Sequence, residues 1–300
     1  MKKMTIFDRI IGKHIIRNMR TEKEMTNLIL DFARNDERIR AVCIEGSRTN
    51  PNAPKDCFQD YDISYFVTEM DSFMTDDRWL DIFGERIIMQ KPEAMTLFPP
   101  DLGGWFSYLM LFTDGNRIDL TLIPLTDIQK YIEGERGLSV LLLDKDNLFP
   151  QLPAPEDTYY HVRKPTATEF SDCCNEFWWV TTYVAKGLAR KEIIYAADHL
   201  DRFVRLELLR ILSWKAGIRT NFSVSIGKNY KYIEKYLDPD EWEKLLLTYD
   251  CSTYENCGKA LFVTTALFGK TAAWVAESMG FTYPTAEYLK VEEYLHTVRW

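Results

Sequence analysis

Asp60 and Asp62 stand two residues apart in Phe58-Gln59-Asp60-Tyr61-Asp62-Ile63, within a run of aromatic and β-branched residues that ends at Val67. On a strand, that spacing sends both carboxylates to one face and Tyr61, Ile63 and Tyr65 to the other. A second run, Arg117-Ile118-Asp119-Leu120-Thr121-Leu122, alternates in the same way, with Arg117, Asp119 and Thr121 on one face and Ile118, Leu120 and Leu122 on the other. If the two strands are neighbours, three carboxylates converge. Left alone, such a cluster repels itself. A hard divalent cation such as Mg²⁺, which takes carboxylate and phosphate oxygens, removes the conflict. Taken singly, each aspartate reads as a solvated acid at a strand edge. The set reads differently, because Gly46-Ser47 closes an earlier strand, Ile39 to Ile44. There a glycine allows close approach of the backbone to a phosphate, and Ser47 adds a hydroxyl and an N–H.

The elements that must hold these residues follow from periodicity. Glu22 to Phe32 has apolar residues at helical spacing, with Thr21 and Glu24 placed for a capping box. Ile39 to Ile44, Tyr61 to Val67 and Arg86 to Gln90 read as strands. Trp105 to Phe112 and Arg117 to Ile123 flank the hairpin turn Thr113-Asp114-Gly115-Asn116, and Leu138 to Leu143 adds a further strand. Pro150, Pro153, Pro155 and Pro165 mark 151–165 as a linker. Beyond it the patterning turns helical: Thr168 to Leu188, Lys191 to Lys215, Lys228 to Tyr236, Pro239 to Tyr249 and Tyr254 to Ser278. The expected fold class is α+β. An extension (1–18) precedes a mixed-sheet domain (19–150), which the linker (151–165) joins to an all-helical domain (166–300).

Composition narrows the partners. Forty-five acidic residues against 37 basic ones give a net charge of −8. That balance disfavours a nucleic-acid surface and suits a cationic ligand. The six cysteines form no CxxC pair, and the four histidines lack zinc-ligand spacing, so free thiols in a reducing cytoplasm are expected. No apolar run reaches membrane-spanning length. The chain is read as a cytosolic monomer acting on small molecules, with no nucleic acid or membrane partner. Phe7, Ile10, Ile11 and Ile15 leave room for one amphipathic turn in the extension.

The motifs Ile44-Glu45-Gly46-Ser47, Asp60-Tyr61-Asp62-Ile63 and Ile118-Asp119-Leu120 resemble the polymerase-β-type nucleotidyltransferase pattern. The longer stretches Glu45-Gly-Ser-Arg-Thr-Asn-Pro51 and Phe58 to Val67 are similar to the streptomycin 6-adenylyltransferases, which are aminoglycoside-resistance enzymes. The likeness runs from about Met19 to the C-terminus and includes Phe177-Trp178-Trp179-Val180 and Tyr183 to Leu188. It implies a polymerase-β-like N-terminal domain and transfer of AMP from ATP, the co-substrate, to a hydroxyl of streptomycin, with release of pyrophosphate. Asp60 and Asp62 would hold Mg²⁺, and Asp119 would complete a second metal site and help to deprotonate the acceptor. Ser47 would fix the β- and γ-phosphates, with Gly46 beside it, and Arg48 would neutralise part of their charge.

Lys228 and Lys231 resemble the lysines that reach the triphosphate in related enzymes; solvated lysines on a short helix are an equal reading. Lys228 is favoured because Gly227 and an expected helix start put N–H groups beside it. For the cations of the acceptor, Asp172, Glu176, Trp179 and Tyr183 share one helical face. Asp198 and either Trp178 or Trp179 complete the candidates, although an Asp198–Arg202 surface pair explains Asp198 as well. His199 reads as structural. A protein or tRNA acceptor on the same fold, and an inactive nucleotide-binding module, are the competing readings.

Overall fold

The computed structural model describes residues 19–134 and 137–300, so the extension falls outside the described residues. The chain divides between Tyr159 and Tyr160 into two compact units, and the division lies inside 151–165.

The first unit is built on one mixed sheet. Helix α1 (Glu22–Asn35) opens with the capping box, in which the Thr21 side chain accepts from the Glu24 N–H and Glu24 reaches back to the Thr21 backbone. Such a cap is worth about 1 kcal/mol. Six strands follow: β1 (Ile39–Glu45), β2 (Tyr61–Val67), β3 (Arg86–Gln90), β4 (Phe106–Phe112), β5 (Arg117–Pro124) and β6 (Ser139–Asp144). Their order is β3-β4-β5-β2-β1-β6. β2 and β5 run parallel while the other neighbours are antiparallel. The hairpin joining β4 and β5 forms at the foreseen turn, where the Gly115 N–H donates to the Phe112 carbonyl.

Strand alternation gives the sheet two unlike faces. Val42, Tyr61, Ile63, Tyr65, Ile118, Leu120 and Leu122 pack with Met25 and Ile29 of α1 in one core. Buried Tyr65 ends in a hydroxyl that donates to the Ile29 carbonyl at 2.7 Å, which satisfies a polar group in an apolar setting. The opposite face carries a smaller cluster of Ala41, Cys43, Phe66 and Ile123, closed by Tyr131 of helix α2 (Ile128–Gly134). Asp62 and Asp119 share the parity of this second face.

The second unit is helical: α3 (Ala167–Ala189), α4 (Ile193–His199), α5 (Arg205–Arg219), α6 (Pro239–Leu247), α7 (Tyr254–Met279) and α8 (Thr285–Thr297). Phe177 of α3 stacks on Phe268 of α7 with ring centroids 3.6 Å apart, at the centre of its core. Three expectations need correcting. The stretch Lys191 to Lys215 is not one regular helix, because Lys191 has a φ of 61° and a π-helical turn, Leu200–Val204, joins α4 to α5. A π turn takes an extra residue, which breaks a single 3.6-residue stripe, and Phe203 is accordingly 41% exposed. Lys228 to Tyr236 is not an α-helix but two 3₁₀ turns, since Gly227, Asn229 and Tyr230 all have positive φ. Finally, α8 was absent from the expected elements; its buried residues are only Tyr288 and Leu295, too sparse a face to show periodicity. Among the described residues no helix is long and apolar enough to cross a membrane. All six cysteines are free thiols.

Candidate active site

Parallel pairing of β2 with β5 sets Asp62 directly beside Asp119, and antiparallel pairing of β1 with β2 sets Glu45 opposite Asp62. Three carboxylates therefore occupy one row across adjacent strands, with Asp60 immediately before β2. Burial, followed by the charges of Asp119 and Asp60, pushes the Asp62 carboxyl up to about 6, against the opposing pull of Arg117 and Arg48. The end of the row is thus short of positive charge.

Gly46 is required here for two reasons. Its φ of 74° lies in the left-handed region, and a Cβ at this position would stand 2.3 Å from Asp62 Oδ2. The group that comes close to this backbone is the aspartate itself. A side chain at position 46 would expel that carboxylate. Ser47 and Arg48 continue from it in a 3₁₀ turn. Gln59 Nε2 donates to the Ser47 carbonyl at 2.8 Å, tying the two ends of the intervening loop together.

Arg48 has a different setting from the one foreseen. Its side chain is 9% exposed. It donates to the carbonyls of Asp60 (3.0 Å) and Gln59 (2.8 Å), and its guanidinium lies 3.6 Å from the centre of the Tyr61 ring. Placed in this way, it positions the backbone of Asp60.

The sequence reading put Arg117 on the correct face but gave it no role. In the structure its Nε donates to Asp119 Oδ1 and its second nitrogen to Asp119 Oδ2, both at 2.8 Å. The same guanidinium is 3.8 Å from Asp60 Oδ1. The Asp119 hydrogen bond raises the Arg117 pKa further. Glu45 was missed too. Its Oε1 accepts from the Tyr131 hydroxyl at 2.5 Å, and that hydroxyl lies 2.6 Å from Ser139 Oγ. Only the pairing of distant strands and of α2 could have revealed this contact.

As a donor set, three carboxylates, one with its pKa raised by burial and then by like charge, suit a hard divalent cation. Their placement does not yet form a cage. Among the described residues no three acidic, histidine or cysteine side chains are grouped to hold an ion, and Arg117 engages both oxygens of Asp119.

In the second unit, Asp172 and Glu176 line a hollow of about 280 Å³ together with Glu169, Glu207, Arg210 and Trp214. Trp178 and Trp179 separate as adjacent helical residues should. Trp178 is 4% exposed and stacks on Tyr288, whereas Trp179 is 60% exposed and donates to the Tyr183 hydroxyl at 2.8 Å. Asp198 makes the surface pair with Arg202, at 3.2 Å. His199 has Nδ1 2.8 Å from the Tyr195 carbonyl and its ring against Tyr195, a structural setting. The helix start invoked for Lys228 is a short 3₁₀ turn, Lys228–Tyr230, and not the first turn of an α-helix, and Lys231 rests near the Tyr232 ring.

Residues 19–298 match the family model described as streptomycin adenylyltransferase. The chain belongs to that family. The aminoglycoside 6-adenylyltransferase of Bacillus subtilis (strain 168) is 54% identical over 89% of this chain and 94% of its own length. That of Staphylococcus aureus is 46% identical over 90% of this chain and 95% of its own. A crystal structure of an aminoglycoside 6-adenyltransferase from Bacillus subtilis shares 48% identity, covering 93% of this chain and 99% of that one, with a TM-score of 0.46. As a member of the streptomycin adenylyltransferase family, the chain is a nucleotidyltransferase.

Proposed function

We propose that this nucleotidyltransferase transfers AMP from ATP to a hydroxyl of an aminoglycoside, specifically the position-6 hydroxyl of streptomycin, and so confers resistance. The observation that carries the reading is the pair of carboxylates at Asp62 and Asp119, set side by side by parallel strands, with Asp60 immediately before β2. The relatives, which are aminoglycoside 6-adenylyltransferases, suggest the acceptor class.

In the reaction, the acceptor oxygen forms a bond to the α-phosphorus while the bond from that phosphorus to the bridging oxygen breaks. Pyrophosphate leaves with the electron pair, and the hydroxyl proton passes to a carboxylate, for which Asp119 is our choice. Mg²⁺ held by Asp60, Asp62 and Asp119 would supply stabilisation of the charge on the incoming and leaving oxygens. The protein's own residues do the rest. Gly46 leaves room for the Asp62 carboxylate, Arg48 fixes the backbone of Asp60, and Ser47 offers its hydroxyl and N–H to the phosphates. In the helical unit, Asp172 and Glu176 with the neighbouring Glu169 and Glu207 attract the cationic acceptor, and Trp179 with Tyr183 offers aromatic faces to it. Six free thiols suit a reducing cytosol.

The test is to incubate the protein with Mg²⁺ and ATP, adding streptomycin, kanamycin or spectinomycin in separate reactions. Pyrophosphate release that depends on streptomycin is expected. Release with none of the three, together with labelled protein or RNA, would sink the reading in favour of a macromolecular acceptor.

A further inference from the structure

Arg117 holds Asp119 through Nε and one terminal nitrogen, which donate to the two carboxylate oxygens in a bidentate pair with both bonds at 2.8 Å. The geometry is specific to arginine, since a lysine ammonium presents a point charge and no fork. The same guanidinium stands 3.8 Å from Asp60 Oδ1, and it also counters the charge of Asp62. One cation is therefore shared among the acids assigned above to the metal. Arg48, the other arginine acting on Asp62, is committed to the carbonyls of Gln59 and Asp60 and to the Tyr61 ring. Arg117 differs from it in being 43% exposed, with Asp119 at 21%. A half-exposed side chain can swing into water at little cost, whereas Arg48 cannot leave without stripping the loop of its hydrogen bonds.

We propose that Arg117 is a positioning residue that acts as an internal counter-ion: it occupies Asp119 while the site holds no metal and is displaced when a divalent cation binds. This rests on the reading that Asp60, Asp62 and Asp119 take Mg²⁺. The physical argument is a competition. A carboxylate that accepts a guanidinium fork on both oxygens has few lone pairs left in the plane where an ion would sit. Without any cation, Asp60, Asp62 and Asp119 would repel one another and spread. The ion pair keeps them together in the resting protein at the cost of weakening its hold on a bare metal ion.

The measurement is Mn²⁺ binding to the full-length, nucleotide-free protein, followed by the loss of the free-ion signal in electron paramagnetic resonance. Arg117→Gln is expected to bind Mn²⁺ roughly three- to tenfold more tightly than the unaltered protein, the range set by releasing a partly exposed ion pair. Arg117→Lys should fall between the two. Asp62→Asn should abolish the binding, and Arg34→Gln, which removes an equal charge from an exposed position on α1, should leave it unchanged. Equal or weaker binding by Arg117→Gln, alongside Asp62-dependent binding, would overturn the proposal while the metal reading stands. An equal gain from Arg34→Gln would also overturn it, by showing a general effect of net charge. Absence of Asp62-dependent binding in every form would overturn the metal reading and the proposal together. A purely structural ion pair at Arg117 would move the melting temperature and not the Mn²⁺ affinity.

Discussion

Two clusters of charge, one in each unit, show how differently the chain treats its acids. In the helical unit, Glu241 is 3% exposed and faces Lys215, itself 7% exposed, through a direct ion pair. Asp238 beside them binds Arg219 at 3.1 Å, and Glu241 also completes the capping box of α6. Two acids meet two bases, and the Glu241–Lys215 pair at the centre is shut away while Asp238 and Arg219 stay exposed. At the end of the sheet, Asp60, Asp62 and Asp119 share Arg117 at a half-exposed edge, and the Asp62 carboxyl is pushed up by burial and by its neighbours. Matched, buried charge serves to hold helices together. Unmatched charge at an open edge is held ready for a ligand of the opposite sign.

The largest effect expected from breaking this contrast is at Asp119. Asp119→Asn should lower turnover by about a thousandfold or more, with streptomycin affinity by calorimetry changed little, as befits a group used in the transition state. Near-native turnover would remove Asp119 from the chemistry. Glu241→Gln probes the other cluster. Leaving Lys215 buried without its full partner should cost about 3 kcal/mol of stability in denaturant unfolding, while activity per folded molecule is retained. A large loss of turnover in the folded variant would mean that the helical cluster is not merely structural.

A smaller effect separates the clusters by pH. The Asp62 carboxyl titrates at about 6 in the folded protein, above its ordinary 3.8. A carboxylate with a raised folded-state pKa favours the folded state when protonated, so its ionisation costs stability as pH rises from about 4 through 6. Asp62→Asn should therefore be more stable than the unaltered protein by about 1–2 kcal/mol above pH 6.5, after allowance for solvent screening. The difference should vanish below pH 4, and a pH-independent difference would contradict the assignment. The smallest effect is at the acceptor. Trp179→Leu should raise the KM for streptomycin about two- to fivefold with kcat unaltered, the size of an exposed cation–π contact. An unchanged KM would take Trp179 out of the acceptor surface.

Much of this site was legible before any fold was known. Alternation alone put Asp60 with Asp62 and Arg117 with Asp119, and it placed Tyr61, Ile63, Ile118 and Leu120 in the core, because side chains on a strand repeat every two residues. Capping chemistry marked the start of α1, and the turn residues marked the β4–β5 hairpin. Where the local pattern misled, a non-local or conformational cause was at work. The segment after Gly227 has helical spacing but left-handed residues at Asn229 and Tyr230, so Lys228 opens a short 3₁₀ turn and not an α-helix.

What the sequence by itself determined was therefore the set of acids, their faces and the strands that carry them, since these follow from the covalent period of the backbone. Tertiary structure decided the rest. Strand order made β2 and β5 parallel neighbours and brought Asp62 beside Asp119. Packing buried Trp178 and left Trp179 in water. The close fit of Asp62 over Gly46, and the closing of Arg117 on Asp119, settled which charges touch. Those outcomes depend on distances between residues far apart in the chain or on rotamer choices, and no local pattern encodes either.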